Sequence, residues 1–203
     1  MRLFRSIASA QNGQIFNHMG AAFGVNDELA AQVVRYFLPP LYKAMLKRME
    51  TPGGLMMLLE LLGSRRHDRY LADPGIFTHP QIEVEGRALL TTLIPNRNFI
   101  AKIIDNRAQV LPLPPELIEK MLPYITILIF GAVELKTRQP LKKVVLKILG
   151  GKADPVAADN PFRTLANEIR LRKMARGAEE EKRASLTSVI GILFRKTDER
   201  RAA

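Results

Sequence analysis

Apolar residues recur along this chain at helical spacing. Ile15, Phe16, Met19 and Phe23 fall at i, i+1, i+4 and i+8, and Gly24 then offers the left-handed stop that ends many helices. Asn26 stands where an N-cap is wanted, with Asp27 and Glu28 in the first turn, where the helix dipole favours negative charge. Leu29, Val33, Tyr36 and Phe37 carry the next stripe to Leu38. Pro39-Pro40 should end or kink that helix, with Leu41, Met45, Leu46 and Met49 in a continuation on a changed axis. Thr51-Pro52 opens a further segment that closes at Gly63. Because Leu55, Met56, Met57, Leu58, Leu59, Leu61 and Leu62 make it apolar nearly all round, it is expected centrally in the core.

Ser64 to Gln81 is polar and irregular, with Asp73-Pro74-Gly75 as a turn, and reads as a surface excursion. Helical patterns return at about residues 82–93, 98–109, 115–135 and 140–149. The longest uncharged apolar run, Met121 to Val133, contains Pro123 and falls well short of the roughly 20 residues that span a bilayer, so a buried helix is expected and no transmembrane segment. Gly150-Gly151 and the proline- and aspartate-bearing stretch to Pro161 read as a linker. Two charged helical segments follow, 162–176 and 179–195. In the second, Leu186, Val189, Ile190, Leu193 and Phe194 form one apolar stripe, a candidate face for a partner helix. The pattern predicts an all-α protein: an irregular array of about eight short helices over residues 1–151, then a basic helical extension over 152–203.

Composition narrows the function classes. The 203 residues are 47% hydrophobic and 25% charged, enough to bury a core. The absence of cysteine removes disulfides, thiolate metal sites, iron–sulfur clusters and thiol nucleophiles together. Arg2, Arg5 and Ala8-Ser9-Ala10 imitate the ends of a signal peptide, but no apolar run of sufficient length lies between them, so a cytoplasmic start is expected. Residues 1–135 carry 14 Lys and Arg against 12 Asp and Glu, whereas residues 136–203 carry 17 against 8, so nine of the eleven net positive charges sit in the last third.

The segment Ala10-Gln11-Asn12-Gly13-Gln14, then Phe23-Gly24-Val25 followed by acidic residues, then Phe37-Leu38-Pro39-Pro40-Leu41, resembles the opening of the YidB-like bacterial proteins, a domain of unknown function. Leu122-Pro123 within Glu116 to Phe130 is similar to the second half of that pattern. The resemblance covers about residues 1–151 and implies an all-helical bacterial domain with no assigned activity or catalytic set. Members of that family are often glycine-rich toward the end, whereas this chain carries a basic extension.

Candidate chemistry is sparse. His67-Asp68 invites comparison with helical metal-dependent phosphohydrolases, with His18 and Asp105 in the remaining parts. The run Arg65-Arg66-His67-Asp68-Arg69 nevertheless reads as solvated surface, His79 as a loop residue and His18 as the edge of the core. Gly53-Gly54 lacks the Lys-Ser/Thr of a phosphate loop, and neither a dinucleotide glycine pattern nor a nucleophile elbow occurs. No cofactor and no metal are expected, and the chain is not expected to be an enzyme. Lys142, Lys143, Lys147, Arg170, Arg172, Lys173 and Arg176 are the candidate polyanion contacts, with Lys152 and Arg163 among them in sequence. The expected function is a non-enzymatic interaction or assembly protein, with a protein partner or self-association. The alternative is a polyanion-binding protein that uses the extension on nucleic acid or an anionic membrane surface.

Overall fold

The computed structural model describes residues 2–148 and 159–175. Eight α-helices are present among them: α1 (Arg2–Ala8), α2 (Ile15–Phe23), α3 (Asp27–Met49), α4 (Pro52–Ser64), α5 (Pro80–Leu93), α6 (Arg97–Ala108), α7 (Pro115–Ile148) and α8 (Pro161–Ala175). Three 3-10 turns, Ala10–Gly13, His67–Leu71 and Pro74–Thr78, complete the regular structure, and no strand occurs among the described residues. The protein is all-α. Its contacts gather into two compact units, one of Met1–Thr51 with Arg65–Glu134, the other of Pro52–Ser64 with the chain from Leu135 onward. The linker expected around residues 150–161 falls mostly on residues 149–158, outside the described residues.

In the first unit the punctuation works as local chemistry dictates. Gly24 adopts φ 69°, a left-handed cap that lets its N–H bond the Gly20 carbonyl, and Asn26 Oδ1 accepts the Leu29 N–H at 2.7 Å to start α3. α3 then runs unbroken for 23 residues through Pro39 and Pro40. Two prolines in a helix interior remove two backbone donors, a cost of several kcal/mol in isolation. Phe37, Leu38 and Leu41, all nearly inaccessible, flank them, and this burial keeps the helix intact.

The centre of the first unit is α7, where every residue from Met121 to Glu134 is buried. The all-round burial expected of α4 belongs here instead. In the second unit α4 buries one stripe, Leu55, Leu58, Leu59 and Leu62, and leaves Met56, Met57 and Leu61 half-buried. The break expected between residues 135 and 140 does not occur either: α7 is a single helix of 34 residues. Pro140 deprives the Lys136 carbonyl of its partner, but both residues are exposed, where water serves the freed oxygen. No helix among the described residues is long and apolar enough to cross a membrane.

The second unit closes α4, the C-terminal part of α7 and α8 on one another. Asn160 caps α8 by accepting the Arg163 N–H at 3.2 Å, and its side-chain amide donates to the Gly63 carbonyl at 2.7 Å. Arg170 forms an ion pair with Glu60 further along the same two helices. Arg138 of α7 lies over the Phe162 ring, 5.6 Å from its centroid, and donates to the Asp159 carbonyl at 2.8 Å. Phe162, Leu165 and Ala166 are buried in this unit with Leu141 and Val145.

Candidate functional site

Three places on the described residues hold more chemistry than packing requires. The first is a polar cluster in the first unit that the sequence places at the surface. His67 is 1% exposed, and its ring lies 5.7 Å from that of Phe130. Only its neighbours Arg65, Arg66 and Arg69 are exposed; the tight 3-10 turn directs the imidazole inward, toward α5 and α7. His67 Nδ1 stands 3.5 Å from Glu85 Oε1, and Glu85 Oε2 accepts from the Tyr70 hydroxyl at 2.9 Å and from Arg65 at 3.1 Å. Fully buried Glu134 accepts the Asp68 N–H at 3.1 Å, while Arg66 makes a two-pronged bond to the Asp68 carboxylate at 2.9 and 2.7 Å.

Burial, then the bond to Glu85 and its negative charge, push the Tyr70 hydroxyl above its ordinary value. The groups of this cluster answer one another, and its histidine has almost no solvent access. Its chemistry is that of a fastening between residues 65–70 and α5 and α7. His18 sits elsewhere, half-buried on α2 with Nδ1 2.6 Å from Gln11 Oε1, and Asp105 is exposed on α6. Among the described residues no three His, Asp or Glu side chains are placed to hold a metal ion.

The second place is α6. Asn96 caps it through the Phe99 N–H at 3.2 Å, yet Ile104 is its one fully buried residue. Ile100 and Ile103 line a small, partly open apolar depression with Phe37, Leu41, Leu90 and Ile94. On the outside, Phe99 is 50% exposed and Val110, just beyond the helix end, is 58% exposed. By sequence pattern Phe99 is an ordinary helical apolar position, with no sign that it faces solvent.

The third place is the cationic side of the second unit. Its described residues hold nine Lys and Arg against three Asp and Glu, a net of six positive charges. Of the candidate polyanion contacts, Lys143 and Lys147 are exposed and Lys142 is half-buried. Arg170 is paired with Glu60, and Arg172 donates to Glu168 at 2.7 Å, so these two arginines are already engaged. Lys173 lies in the last turn of α8. Arg176 and the apolar stripe Leu186, Val189, Ile190, Leu193 and Phe194 lie outside the described residues.

Lys136, not among the sequence candidates, is exposed seven residues before Lys143 and eleven before Lys147, which places all three on one helix face. The spacing is visible in the sequence; the break expected at Pro140 hides it.

The model of a family described as "Bacterial protein of unknown function (DUF937)" matches residues 5–136. That span holds α2 to α6 whole and ends at Lys136, where the lysine face of α7 begins. No curated protein and no solved structure matches the chain.

Proposed function

The chain belongs to the DUF937 family of bacterial proteins, and from that premise we propose that it is a non-enzymatic interaction or assembly protein of the bacterial cytoplasm. The observation that supports this reading is α6, a helix with one fully buried residue that presents Phe99 and leads to Val110 at 50% and 58% exposure. Aromatic side chains of this kind are enriched at the centres of protein interfaces, where covering them releases ordered water. Self-association is the simplest form of the proposal. Light scattering on the full chain tests it: the mass should exceed that of one chain and return to it in Phe99→Ser with Val110→Ser. A native chain that is monomeric at all concentrations, and whose mass neither substitution moves, would count against self-association.

A second reading, binding of a polyanion, is favoured by the uncompensated charge of the second unit. The described part of the basic region supports it through α7 more than through α8, since the α8 arginines Arg170 and Arg172 are paired.

A further inference from the structure

We infer that the exposed lysine face of α7, formed by Lys136, Lys143 and Lys147, binds the phosphate backbone of duplex nucleic acid without sequence preference. The inference rests on the polyanion reading and names its partner. At the helical rise of about 1.5 Å per residue the three ammonium groups are carried along roughly 16 Å of axis, Lys143 and Lys147 about 6 Å apart. Directly opposite them, Leu141 and Val145 are buried at 5% and 2% exposure, which fixes the lysines outward. Gln139 and Pro140 share the exposed side, so no acidic residue interrupts it.

Two of the unit's three described carboxylates are engaged away from this face. Glu60 is taken by Arg170 and Glu168 by Arg172, while Arg138 is turned onto the Phe162 ring and the Asp159 carbonyl. Pairing thus removes Arg170 and Arg172 from the nine cations of the unit's described residues, and three of those that remain, Lys136, Lys143 and Lys147, share one exposed helix face.

Three features select the duplex. Phe162, the one aromatic residue among the described residues of this unit, is 1% exposed, so these residues offer no ring to stack the bases of a single strand. Leu141 and Val145 are consumed in the protein, and Leu135 is left as the one exposed large apolar side chain in this part of α7, too little to sink the helix between lipid headgroups. Duplex nucleic acid offers about one fixed charge per 1.7 Å, and a lysine side chain reads it as charge and not as sequence.

The test uses the full chain and fluorescently labelled DNA duplexes of two unrelated sequences, titrated between about 50 and 200 mM salt. Both duplexes should bind alike. The variant Lys136→Ala, Lys143→Ala, Lys147→Ala should bind about tenfold or more weakly at low salt, with the slope of log affinity against log salt shallower by roughly two to three. Arginine at the same three positions should preserve binding. Alanine suits exposed helix positions, and circular dichroism verifies the fold of each variant.

A second triple variant, Lys43→Ala, Lys102→Ala, Lys120→Ala, removes three exposed lysines of the first unit and changes the net charge equally. It should leave affinity within about threefold. Equal losses in the two triple variants would overturn the inference by showing diffuse attraction. Binding to phosphatidylserine vesicles with no duplex binding at low salt would overturn the inference and leave the polyanion reading standing. Failure to bind either would remove both.

Discussion

Gly86 of α5 lies against the backbone of Pro123 in α7, so closely that a Cβ at residue 86 would stand 2.6 Å from the Pro123 carbonyl carbon and closer still to its oxygen. The obstacle is helix backbone, which has little freedom to move aside. Gly86→Ala should therefore destabilise the protein by about 1–3 kcal/mol or more, although alanine is the better helix former. Gly53, in the first turn of α4, is the control, because a Cβ there would meet nothing within 4 Å. Gly53→Ala should be neutral or stabilising by up to about 1 kcal/mol. Thermal unfolding of the two variants checks the opposite signs.

Tyr70 and Tyr124 both hold their protons above the ordinary tyrosine value of 10.0, chiefly because burial disfavours the phenolate. Well below pH 10 both stay protonated in the folded and the unfolded chain, and stability does not vary with pH through them. Above it the unfolded chain ionises first, so their contribution to stability is lost as pH rises through the raised values. Glu85→Gln should lower the Tyr70 titration and leave that of Tyr124 in place, as read from tyrosinate absorbance. A Tyr70 titration that did not respond would show that the charge of Glu85, which accepts from the hydroxyl at 2.9 Å, has no part in the shift.

Gln11 and Asn12 occupy the left-handed region at φ 52° and 56°, a conformation that costs an ordinary residue about 1–2 kcal/mol. They differ in what they return. The Gln11 side chain bonds His18 and donates to the Asp73 carbonyl, both at 2.6 Å, whereas Asn12 is exposed. Asn12→Gly should stabilise by up to about 1 kcal/mol, and Gln11→Gly should destabilise by about as much or more. Chemical denaturation of both variants measures the difference.

Asn160 holds α8 by capping it and by reaching the Gly63 carbonyl of α4. Asn160→Ala removes both contacts and should cost about 1–2 kcal/mol in the second unit. The readout is trypsin: cleavage after Arg163, Arg170 and Arg172 should accelerate, while cleavage after Arg87 in α5 should not. Unchanged rates at the α8 sites would mean that Phe162 and Leu165 hold the helix without the cap.

The helices, their starts and several stops are legible because they depend on neighbours in sequence. Asn26 caps α3 and Gly24 ends α2 through bonds spanning three or four residues. The departures share a cause. Pro39, Pro40 and Pro140 read as interruptions because the local cost of proline is visible, whereas the tertiary setting that tolerates it, burial beside Pro39 and Pro40 and open solvent at Pro140, is not. His67 reads as solvated because three of its near neighbours are arginines, and only the approach of Phe130 and Glu85 shows its ring inside.

All-α character, kinship with a bacterial family and the gathering of charge beyond residue 135 are contained in residue order alone. Those properties follow from hydrophobic period, turn residues and counting, each independent of distant contacts. Which cations remain open is a matter of packing. Pairing of Arg170 with Glu60 joins residues 110 positions apart and withdraws that arginine from the open charge, while Lys136, Lys143 and Lys147 stay exposed on one face of α7. Packing likewise turns Phe99 to solvent. Helical spacing defines an apolar side, but the side that finds a neighbour depends on where the other helices come to rest.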